Sequence, residues 1–107
     1  MRQKRALFRN AIRRVGQVSR GPHVAWCEVV NLSEKGAGFS SEMRLGVGDD
    51  VLLEFDLTPK TPIHCTLRIV ASSPPRVGGV FTAIAPKQRR AIAQFIEQQN
   101  ALNTVAY

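Results

Sequence analysis

At 107 residues with 44 % hydrophobic side chains, the chain has the size of one domain, and a globule of this length buries about 65 % of its unfolded surface, enough for one core. Its formal net charge of +7 is concentrated: Arg2, Lys4, Arg5, Arg9, Arg13, Arg14 and Arg20 occupy residues 1–20 without an acidic residue, whereas from Gly21 onward eight basic residues balance eight acidic ones. No apolar run approaches the roughly 20 residues of a bilayer span and no secretory-signal core stands near the start, so the expected location is cytoplasmic.

Residues 1–10 read as a flexible basic arm, because like charges and little apolar surface give it nothing to pack against. From residue 11 the pattern is β. Strands are expected near Ala11 to Val18, Val24 to Asn31, Gly36 to Ser40 and Gly78 to Ile84. Between them, Val51, Leu53 and Phe55 alternate with Leu52, Glu54 and Asp56, and Ile63, Cys65, Leu67 and Ile69 alternate with His64, Thr66 and Arg68. Such alternation marks half-buried strands. Gly46 to Asp50, Leu57 to Pro62 and Ser72 to Arg76 carry the glycine, proline and aspartate chemistry of turns. Six short strands at hairpin spacing over residues 11–85 suggest a small closed barrel without exposed sheet edges. Pro86 then suits the first turn of a helix over residues 86–102, with Ile92, Phe95, Ile96 and Gln99 on one face. Lys87, Arg89 and Arg90 near its start, where the macrodipole disfavours cations, read most simply as solvated. The fold class is all-β with one helix.

Cys27, Cys65, His23 and His64 form no closely spaced metal-ligand pair, so no metal is expected and both thiols read as reduced and buried. Trp26 reads as a packed strand residue, not a base-stacking platform. Catalysis is not expected. There is no Walker glycine loop, no nucleophile–base pair and no acidic cluster for magnesium, and Asp49-Asp50 reads as turn chemistry.

Two motifs carry the functional reading: the arginine pair in Arg5-Ala6-Leu7-Phe8-Arg9, and Asn31-Leu32-Ser33-Glu34-Lys35-Gly36. Together they resemble the RxxxR segment and [DN]xSxxG turn of PilZ domains. The Gly78-Gly79-Val80-Phe81 strand leading into an amphipathic helix extends the resemblance from about Arg5 to Ile96. It implies a six-stranded antiparallel PilZ-type barrel with a C-terminal helix, and a bacterial receptor for cyclic di-GMP acting in motility, biofilm formation, adhesion or polysaccharide export through a protein effector. By the same resemblance Arg5, Arg9, Asn31, Ser33 and Gly36 bind the ligand, in one copy or as an intercalated pair. Lys4 and Arg13 are further candidates. Arg9 to Arg13 is also RxxxR; Arg5 with Arg9 is preferred because the motif belongs ahead of the first strand.

The chemistry suits that ligand. An arginine fork can grip phosphate oxygens bidentately, reach guanine O6 and N7, or stack on the base. Binding would order the arm. Asn31 and Ser33 ordinarily bond backbone groups in a turn; in the functional reading they also face ligand, while Gly36 permits a positive φ and a close approach. As a neutral amide, Asn31 offers one acceptor oxygen where an Asp variant offers a carboxylate pair. Other readings are a basic nucleic-acid-binding barrel, an arm that forms an amphipathic helix on an anionic membrane or in an organelle transit peptide, and a ligand-blind adaptor that contacts only proteins. The scarcity of exposed aromatics weighs against the first, the arm's shortness and near-lack of serine against the second, and the intact motif pair against the third.

Overall fold

The computed structural model describes residues 10–105. The alternation read from the sequence closes into a six-stranded antiparallel barrel: β1 (Asn10–Arg20), β2 (His23–Leu32), β3 (Gly36–Ser41), β4 (Asp50–Thr58), β5 (Thr61–Ser73) and β6 (Arg76–Ile84), with one helix, α1 (Pro86–Val105). The strand order around the barrel is β1-β2-β3-β6-β5-β4, so β1 pairs with β4 and no edge is left free. Val51, Leu53 and Phe55 of β4 and Ile63, Cys65, Leu67 and Ile69 of the neighbouring β5 all point into the core and are buried. Phe39, Leu32 and Val29 fill the centre from β2 and β3.

Tight connections hold the strands in sequence. Arg20 pairs with His23 across Gly21-Pro22, and Gly21 has a φ of 59°, a left-handed conformation that glycine adopts without a side-chain clash. Before β4, Asp49 Oδ2 accepts from the Gly46 amide at 2.8 Å and from Arg20 Nη1 at 3.0 Å. These two donors hold the Asp49 carboxyl below its ordinary value, the Gly46 backbone bond contributing most, against an opposing effect of burial. Register breaks lie between Ala11 and Arg14, Val29 and Asn31, Asp56 and Thr58, Thr66 and Leu67, and Ile69 and Ala71. The β1–β4 and β3–β6 ladders have none.

Helix α1 begins at Pro86 and lays Ile92 and Ile96 into the barrel, both buried, with Phe95 packed beside them. It also takes over the edge of β5 where β6 ends: the last β5–β6 pair is Cys65 with Ile84, and the next amide, His64 N–H, donates to Gln88 Oε1 at 2.9 Å. Arg14 joins the two ends of the described chain. Its Nε donates to the Leu57 carbonyl at 2.8 Å and its guanidinium lies 5.6 Å from the centre of the Phe95 ring. No helix among the described residues is long and apolar enough to cross a membrane.

Both cysteines are free and buried. Burial pushes the Cys27 thiol up to about 11 against a smaller opposing bond from Gly16, and pushes Cys65 up to about 12. Trp26 departs from the sequence reading. Cys27 and Val29 face the core, so Trp26 stands on the outer face with Val24 and is 69 % exposed.

Candidate functional site

The β2–β3 turn is built by its own side chains. Ser33 N–H donates to the Gly36 carbonyl at 2.9 Å. The Ser33 hydroxyl accepts from the amides of Lys35 and Gly36 at 3.1 and 3.2 Å and donates to the Gly36 carbonyl at 3.4 Å. A hydroxyl has one donor and two lone pairs, so this one is saturated within the turn. The Ser33 hydroxyl therefore shapes the loop.

Gly36 is buried and pairs with Val80 on β6. A Cβ there would collide with the Gly79 carbonyl oxygen, so only glycine lets β3 approach β6 this closely. The sequence reading held that Gly36 permits a positive φ; the structure does not use that freedom, since among the described glycines only Gly21 and Gly48 are left-handed. Contact across the strands, not turn conformation, selects the residue.

Asn31 lies in β2 opposite Ala11 of β1 and Gly38 of β3, next to a register break that follows Val29. Its half-buried amide lies across Gly38, with Oδ1 and Nδ2 each 2.7 Å from the position a Gly38 Cβ would take. Gly38 is thus part of the site, although sequence reasoning passed over it. The available signal was its spacing, two residues beyond Gly36 and on the strand that must pass Asn31.

The turn is also held from outside. The Lys35 carbonyl accepts from the Phe81 amide at 2.8 Å, and the Glu34 carbonyl accepts from Arg89 Nη1 at 3.1 Å. Arg89, read from sequence as solvated, is a strut between α1 and the turn. The first strand pair, Asn10 with Leu32, sets the start of β1 beside this turn.

Lys4, Arg5 and Arg9 lie outside the described residues. Arg13 lies within β1, its side chain 83 % exposed, and its Nε is 3.0 Å from Glu28 Oε2. Arg14 is turned away toward Leu57 and Phe95. The structure thus joins Asn31, Ser33 and Gly36 with Gly38 and Arg89, and sets Arg13 in an ion pair with Glu28. Among the described residues no group of three or more His, Cys, Asp and Glu side chains could hold a metal ion.

A family model for the PilZ domain matches residues 3–98. The chain belongs to the PilZ domain family. Among solved structures, the Bacillus subtilis inhibitor of motility MotI/DgrA superposes with a TM-score of 0.75 at 13 % identity, covering 88 % of this chain and 50 % of that one. The PilZ domain of CeSA from a cellulose-synthesizing bacterium superposes with a TM-score of 0.66 at 17 % identity, covering 86 % of this chain and 97 % of that one. This PilZ chain therefore spans half the length of the motility inhibitor and nearly all of the CeSA domain. No curated protein matches it.

Proposed function

We propose that this PilZ domain is a cyclic di-GMP receptor and not an enzyme, and that it signals through a protein effector. The ligand sits between the arginines of the arm, Arg5 and Arg9, and the surface of Asn31 and the Ser33–Gly36 turn, with Lys4 and Arg13 adding attraction. The observation that carries this reading is the register: Asn10, the residue after Arg9, pairs with Leu32 inside the NxSxxG motif. That pairing sets the described start of β1 beside the turn, and in this reading the RxxxR segment that precedes it reaches the same end of the β1–β2 hairpin. Membership of the PilZ family supports the choice of ligand.

In this reading Ser33 and Gly36 fix the turn, Asn31 offers its amide to a guanine, and the arm closes over the phosphates. Binding orders the arm, and that ordered surface is what the effector reads. Motility is one candidate output, which the likeness to a motility inhibitor supports.

Isothermal titration of cyclic di-GMP, with GTP and a short RNA as competitors, tests the proposal. Saturable binding that resists both competitors is expected, weakened about tenfold or more in Arg9→Ala by loss of charged hydrogen bonds. Equal binding by wild type and Arg9→Ala would remove the arm from the site.

A further inference from the structure

The outer face of the barrel opposite the core carries a second feature. Cross-strand register sets Trp26 beside Gln17, Gln17 beside Glu54, and Glu54 beside His64, in one row across β2, β1, β4 and β5. Next to this row the β1–β4 ladder stops at Gly16 with Phe55. A groove of about 240 Å³ lies there, with Val15 and Trp26 on one wall and Glu54, Asp56, Pro62 and His64 on the other. Gly16 and Phe55 point their side-chain positions inward and leave backbone as the floor.

Val15 and Trp26 are each 69 % exposed, and Val24 and Leu52 continue the apolar surface on the same face. Scattered apolar residues on a surface are ordinary. A tryptophan and a valine flanking one groove are a different case, because tryptophan in a pocket dominates protein interfaces.

Charge decides the occupant. The chain is +7 overall, yet the charged groups lining this groove are Glu54 and Asp56, with His64 Nδ1 2.9 Å from Glu54 Oε2. An acidic, apolar groove on a basic protein repels phosphate, nucleic acid and anionic lipid, and complements cations. We propose that the groove across β1 and β4 is the docking site for a protein partner that presents an apolar side chain flanked by lysine or arginine. This goes beyond the cyclic di-GMP reading and does not depend on it.

Trp26 is the only tryptophan in the chain, so its emission reports directly on the groove. The full chain, without nucleotide, is titrated with two short synthetic peptides that share the same leucines and differ only in carrying lysine or glutamate. A saturable blue shift with the lysine peptide is expected, weakened about tenfold in Glu54→Gln/Asp56→Asn, a change near 1.4 kcal/mol. Asp56→Asn alone, an exposed change, is expected to weaken it in the same direction and guards against misfolding of the double variant. The glutamate peptide is expected to give no shift. Equal shifts from both peptides, no shift from the lysine peptide, or undiminished binding by either variant would overturn the proposal. So would a blue shift that grows with protein concentration alone, which would make a second copy of the chain the occupant.

Discussion

One added methyl group tests why residue 36 is a glycine. At Gly36 it would drive into the Gly79 carbonyl of the neighbouring strand, whereas at Gly46 it meets nothing within 4 Å. Gly36→Ala is therefore expected to lower stability by about 1–3 kcal/mol, the ordinary range for overpacking, and Gly46→Ala to leave it nearly unchanged. Urea midpoints at constant slope measure both. Asp49 acts through its ionised form. Its folded carboxyl is held below the ordinary 3.8, so its contribution is fully present above that value and is lost as pH falls through the lowered one. Asp49→Asn is expected to flatten the fall in stability below pH 3.8, read as thermal midpoints between neutral and acidic pH. The NxSxxG pattern was legible in the sequence as a turn. So was its serine, whose hydroxyl bonds only backbone groups of the turn itself; the reason for its glycine was not, because the approach of β6 exists only once the barrel has closed.

Among the elements, α1 relies on its apolar face far more than on its charges. Its first turn holds no acidic residue and its last turn no basic one, so the macrodipole gains little from either end. Docking falls to Ile92 and Ile96. Ile92→Ala is expected to lower stability by about 2–5 kcal/mol and to speed amide exchange throughout α1, while Arg89→Ala, which removes an exposed bond to Glu34, changes global stability by less than about 0.5 kcal/mol. A similar loss from both would mean that the strut, not the packing, seats the helix. The helical face was legible because Ile92, Phe95 and Ile96 recur at the right spacing. The Arg89–Glu34 contact was not, since it joins residues 55 positions apart. Trp26 shows how a single side chain misleads: taken alone it reads as core, but the inward pair Cys27 and Val29 fixes the parity of β2 and turns it outward.

For the molecule as a whole, closure makes the two buried thiols markers of global unfolding. Cys27 and Cys65 lie inside a barrel with no free edge, and burial keeps both thiols protonated well above the ordinary 9.0. Neither is expected to react with a disulfide reagent at pH 8 until the barrel unfolds, when both should react together along the urea transition. Fast labelling of either thiol in native buffer would mean that the barrel opens locally. The alternation of β4 and β5 made the core legible, yet the pairing of β1 with β4 and of β3 with β6 was set by closure and not by any local motif. Those two ladders have a further consequence. A one-residue insertion inverts every side chain beyond it in a strand, unless a bulge absorbs the extra residue. Ladders already broken near Ala11, Val29, Asp56, Thr66 and Ile69 can take such a change, but Gly16 to Ser19 run unbroken against β4 and Gly36 to Ser40 unbroken against β6. Variation in chain length should therefore collect at the bulges and turns, while those two short stretches keep their length.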